Sequence, residues 1–171
     1  MSMSEPISQL ANGAFSQMFD AMENILQKAE DHARAQDLDE GVMLAWRLTP
    51  DMFPMARQIQ IACDVPARGL SRLANADLPS FEDTESDFAG LKARVAKARD
   101  HINGLDVAAI LADPDGTVVV PLRGEDVTMP RQLFLSQFIM PNLYFHVSTA
   151  YAILRTMGVQ LGKGDFLARS L

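Results

Sequence analysis

The chain has 171 residues, with 15 Lys plus Arg against 22 Asp plus Glu for a formal net charge of −7, and 48% of its residues are hydrophobic. A chain of this length buries roughly two thirds of its unfolded surface, which suits one soluble domain spanning residues 1–171 and requires no disulfide or metal to hold a core. The lone Cys63 excludes an internal disulfide or a Cys-based zinc site, and the acidity argues against nucleic-acid binding through phosphate neutralisation. The longest apolar run, Val42 to Trp46, is far too short for a membrane span, and the first basic residue is Lys28, so a cytoplasmic location is expected.

Ile7, Ala11, Phe15, Met18, Met22, Ile25 and Ala29 fall three or four apart, which predicts a first long helix ending between Ala33 and Gln36. Residues 38–48 read as a connector with one helical turn. A second helix follows the stripe Met52, Met55, Ile59, Ala62, Pro66, Leu70 and Leu73, with Thr49 or Asp51 as its cap and a kink at Pro66. After a loop around Asp77 to Asp83, Thr84 with Asp87 resembles a capping box. The third helix then repeats Phe88, Leu91, Val95, Ala98, Ile102 and Leu105, with Lys92, Arg94, Lys97 and Arg99 on its other faces and Asn103-Gly104 as its stop.

The pattern then changes. The β-branched run Thr117 to Val120, a reversal at Arg123-Gly124-Glu125 and the segment Asp126 to Met129 predict a small hairpin. A fourth helix is expected from Pro130 to Gly158, with Thr128 as cap and Pro141 bending its middle.

On that fourth helix the stripe Leu135, Ile139, Asn142, His146, Thr149, Ile153, Met157 keeps helical spacing while carrying an amide and an imidazole. Something polar therefore faces inward, and His146 is expected to be interior and hydrogen-bonded. Asn142 lies one turn from it, and Gln60 or Asp64 of the second helix are its candidate partners, Asp64 as a carboxylate that sets the imidazole tautomer. Tyr151 is added to the candidate pocket. Gln58 reads as a surface residue, His32 and His101 as solvated helix-end residues, and Cys63 as a buried, inert thiol.

Arg47 to Asp64, Pro141 to Arg155 and Gly158 to Leu167 together resemble a bacterial family known as a domain of unknown function within the DinB/YfiT-like group, which contains metal-dependent enzymes. The resemblance implies an up-down-down-up four-helix bundle, commonly a homodimer; joined with the reading above, the expected fold is all-α, that bundle with the small β-hairpin between helices three and four. The resemblance also implies a divalent metal held by a histidine on the second helix and an HxxxH pair on the last. His146 matches the second histidine of that pair, Asn142 replaces the first, and the helix-two position falls at or next to Gln60 with no histidine present. The expected function is therefore a small-ligand-binding or interaction module with a degenerate metal site. The alternative is a metal- or His146-dependent transferase, isomerase or hydrolase acting on a small molecule.

Overall fold

The computed structural model describes residues 4–122 and 124–168, with side chains described from residue 13 onward. Its chain order is α1 (Ser4–Ala35), α2 (Glu40–Ala45), α3 (Met55–Leu73), α4 (Phe88–Asn103), α5 (Val107–Leu111), β1 (Thr117–Leu122), β2 (Glu125–Pro130), α6 (Arg131–Leu133), a π-helical stretch (Phe134–Ile139), α7 (Met140–Thr156) and α8 (Lys163–Phe166). The long elements α1, α3, α4 and α7 are the four helices read from the sequence.

Cross-helix pairs give their directions. Lys92 meets Glu30 and Arg99 meets Asp20, so α1 and α4 run antiparallel. Asp64 meets Arg94 and Ser71 meets His101, both thirty residues apart, so α3 and α4 run parallel. Gln58 meets His146 and Gly69 lies against Ile139, which makes α3 and α7 antiparallel. The arrangement is up-down-down-up. A parallel pair cannot be joined by a tight turn, and residues 74–87 therefore return along the bundle as an extended strap.

The core forms where the apolar stripes converge: Phe15, Met18, Phe19, Met22, Ile25 and Leu26 from α1, Met55, Ile59, Ala62 and Leu70 from α3, Phe88, Leu91 and Val95 from α4, and Leu143, Val147, Ala150 and Ile153 from α7. Gly69 marks the closest approach of α3 to the last helix, because a Cβ there would fall 2.5 Å from Ile139 Cδ1.

Several local expectations need correction. Neither Thr49 nor Asp51 caps α3: Thr49 Oγ1 donates to Asp51 at 2.6 Å, and the helix opens at Pro54 without a side-chain cap. Asp87 is the N-cap of α4, accepting from Gly90 N–H at 2.7 Å, and Glu40 accepts from Phe88 N–H at 2.8 Å, so Thr84 contributes no capping box. Thr128 is no cap either; it pairs with Val119 in an antiparallel hairpin that matches Val118 to Met129 and Val120 to Val127. Arg123, placed by sequence in the hairpin turn, lies outside the described residues, and the adjoining Gly124 takes φ of 89° as a reversal requires.

The expected fourth helix is interrupted rather than merely bent. Met140 N–H donates to Leu135 C=O five residues back, and Pro141 begins the first turn of α7. Proline has no N–H and its ring crowds the carbonyl four residues earlier, so the wider π turn absorbs a residue that an α-helix would not accommodate. At the far end Gly158, with φ of 90°, closes α7 while Val159 N–H reaches back to Leu154 C=O at 3.1 Å.

Candidate functional site

His146 is 8% exposed and faces α3, as its place in the stripe requires. Its partner is Gln58, not Gln60 or Asp64: Nδ1 and Gln58 Oε1 are 2.7 Å apart. Gln58 lies three residues after Met55 and four before Ala62, on the buried stripe, and is itself 1% exposed, which overturns its reading as a surface residue. Its Nε2 donates to the Phe53 carbonyl at 3.0 Å. The amide oxygen must then face the imidazole and accept, so His146 carries its proton on Nδ1 and keeps a lone pair on Nε2. Among the described residues Nε2 has no hydrogen-bond partner.

Burial, together with the positive charge of Arg57, lowers the His146 pKa to about 4. The imidazole is neutral near pH 7. Phe145 stands beside it, ring centroids 5.2 Å apart and edge to face, and is itself exposed, as are Phe53 and Trp46 at the same end of the bundle.

The other candidate residues go elsewhere. Asn142 turns back on its own helix, Nδ2 donating to Phe138 C=O at 2.7 Å. Tyr151 packs on Phe166 and donates to Leu161 C=O at 3.4 Å, which ties α7 to α8 rather than to His146. Gln60 and Asp64 belong to an ion network that sequence reading missed. Arg94, assigned by sequence to an outer face of its helix, is 4% exposed, three residues after Leu91 and four before Ala98.

Arg94 Nη1 donates to Glu85 at 2.9 Å and to the Glu82 carbonyl at 3.0 Å, while Nη2 donates to Asp64 at 2.5 Å and Asp83 at 3.3 Å. Gln60 Nε2 donates to the second oxygen of Glu85 at 2.8 Å, and Gln60 Oε1 accepts from Arg57 at 3.2 Å. Arg57 also bonds Asp83, which closes a ring of Arg94, Asp83, Arg57, Gln60 and Glu85. Two of its members come from the strap, two from α3 and one from α4. The Phe81 ring covers the Arg94 guanidinium at 4.6 Å.

Cys63 is fully buried beside this network, and burial pushes its thiol far up, so the inert reading stands. His101 is not a solvated end residue: its Nε2 lies 2.7 Å from Ser71 Oγ, which donates in turn to Ala67 C=O, so the pair ties α3 to α4. His32 is half-buried against Gly158.

The divalent metal implied by the resemblance does not fit these residues. One imidazole nitrogen of His146 and the amide oxygen of Gln58 are spent on each other, Asp64 is neutralised by Arg94, and Arg57 adds positive charge where a cation would enter. Amide oxygens bind transition metals more weakly than imidazole. Among the described residues no three His, Cys, Asp or Glu side chains are grouped to hold a metal ion, and no helix is long and apolar enough to cross a membrane.

Comparison with known proteins agrees with the bundle. A crystal structure of a DinB family member protein from Shewanella denitrificans superposes with a TM-score of 0.87 and shares 33% sequence identity, over 96% of this chain and 93% of that one. No curated protein matches. Residues 8–167 match the family described as "Domain of unknown function (DUF1993)", and with the up-down-down-up order and the Shewanella likeness in hand, the chain belongs to that family within the DinB-like fold.

Proposed function

We propose that this chain is a small-ligand-binding or interaction module, a single cytoplasmic domain that works as a homodimer, in which the metal site of its DinB-like relatives has degenerated. The observation that carries this reading is the Gln58 clamp on His146. An imidazole locked as the Nδ1–H tautomer beside a guanidinium offers a ligand one neutral acceptor, Nε2, and offers a metal ion too few donors. Exposed Trp46, Phe53 and Phe145 at the same end supply apolar surface for a small molecule or a second copy.

The test is elemental analysis of tag-free protein together with melting curves in nickel and zinc. Absence of stoichiometric metal and an unchanged melting temperature are expected, because a ligand that binds only the folded state raises stability. Stoichiometric zinc or nickel that His146→Ala abolishes refutes the reading. Light scattering checks the dimer, and a monomer mass at micromolar concentration contradicts it.

A second reading, a His146-dependent enzyme, draws on the same lone pair. A base with a pKa of about 4 is poorly matched to proton abstraction near pH 7, which is why binding is the favoured reading.

A further inference from the structure

The ring of side chains around Arg94 bears on what the His146 site recognises. Arg57 uses Nη1 for both Asp83 and Gln60, and among the described residues its Nε and Nη2 have no hydrogen-bond partner. Those two groups form one edge of the guanidinium, the edge that grips a planar oxyanion through two parallel bonds. The side chain is 37% exposed, so this edge meets solvent while the other is fixed by the ring. Arg57 is adjacent in sequence to Gln58, which holds His146, and its charge is felt at the imidazole. Arg57 and Gln58 are successive residues of the first turn of α3, which places the half-free cation and the His146 acceptor at the same end of the bundle.

We propose that this site binds a small organic carboxylate: the carboxylate accepts from Arg57 Nε and Nη2, and a hydroxyl or N–H of the same molecule donates to His146 Nε2. The proposal rests on the ligand-binding reading above and names its ligand class. A single negative charge is favoured over a phosphate dianion, because the ring together with Asp64, which pairs with Arg94, sets two arginines against three carboxylates. The exposed Phe145 ring beside His146 and the exposed Phe53, whose carbonyl anchors Gln58, favour an apolar body on that carboxylate. Arg94 is then a positioning residue: through Asp83, and through Glu85 and Gln60, it fixes the Arg57 guanidinium without touching the ligand.

The experiment uses the full chain with 15N-labelled histidine and four probes: mandelate, mandelamide, phenylacetate and phenyl phosphate. Mandelate has the carboxylate, the hydroxyl and the ring; mandelamide removes the charge, phenylacetate removes the hydroxyl, and phenyl phosphate, compared with phenylacetate, replaces the carboxylate by a dianion. Mandelate is expected to shift the His146 Nε2 resonance and to bind about tenfold more tightly than each of the other three, the loss expected for one charge-assisted or buried hydrogen bond. Arg57→Gln should erase the preference over mandelamide, and His146→Asn the preference over phenylacetate. Arg94→Gln should weaken mandelate and leave mandelamide unchanged, a split that a merely structural loss would not give.

Equal binding of mandelate and mandelamide, an Arg57→Gln variant that keeps the preference, or no Nε2 shift with any probe at millimolar concentration overturns the carboxylate proposal. Tight stoichiometric metal overturns the underlying reading instead, so the two failures are separable.

Discussion

Protonating His146 is expected to destabilise this protein, and the size of the effect follows from its surroundings. In the unfolded chain the imidazole titrates near 6.5, and in the fold burial and Arg57 lower it to about 4. The unfolded state therefore binds the proton more readily than the native state between these values, and stability falls as pH falls. The contribution is fully present above about pH 6.5, is lost progressively down to about pH 4, and changes no further once both states are protonated. The span corresponds to about 3 kcal/mol, of which about 2 kcal/mol is already gone at about pH 5. Urea unfolding at about pH 7.5 and 5 measures it, with His146→Leu as reference so that His32, His101 and the carboxylates cancel. The wild type should lose about 2 kcal/mol more than the variant between the two conditions. A wild-type imidazole that titrates near its ordinary value in a 15N experiment, or equal losses in the two proteins, refutes the argument that His146 is held neutral by its site. Arg57→Gln raises the His146 titration point if the guanidinium lies where the structure puts it.

Arg94→Met leaves Asp64 and Glu85 without their cation and should cost about 3–5 kcal/mol in denaturant unfolding, whereas a loss below about 1 kcal/mol contradicts the buried network. Gly69→Ala places a Cβ against Ile139 Cδ1 and should cost about 1–3 kcal/mol, partly recovered by adding Ile139→Val. Asp87→Ala removes the bond to Gly90 N–H and should lower the melting free energy by about 0.5–2 kcal/mol, while Thr84→Ala, which touches no helix end, leaves it unchanged.

The four long helices and the hairpin were legible because apolar residues at helical or alternating spacing decide which face is buried. His146 was legible for the same reason: it shares a stripe with Ile139 and Ile153. The rest of the site was lost to a bias about polarity. Gln58 and Arg94 each occupy a stripe position by spacing, three residues after one core side chain and four before another, yet their polarity was read as exposure. Their partners explain why burial is tolerated: Gln58 has an imidazole and a carbonyl, and Arg94 has carboxylates from the strap and α3. Those partners come from distant parts of the sequence, Asp83 and Glu85 from a loop and Phe53 from the approach to α3. No spacing rule connects them to the helices they serve. The helix caps failed for a related reason, since Thr49, Asp51 and Asp87 all have the chemistry of a cap, and only the path of the chain decides which one meets a free N–H.

The strap between the two parallel helices divides the molecule into two halves of sequence that are thoroughly interleaved in space. α1 and α3 precede it, α4 and α7 follow it, and the principal packed pairs of long helices, α3 with α7, α3 with α4 and α1 with α4, each join one half to the other. Neither half can assemble a hydrophobic interior from its own two helices. A ribosome that has released only the first half has produced amphipathic helices with no mates, and their apolar stripes stay open to water until the second half emerges. The fold is thus expected to be acquired late and all at once, and a chain severed in the strap to recover its structure only when the two fragments are mixed.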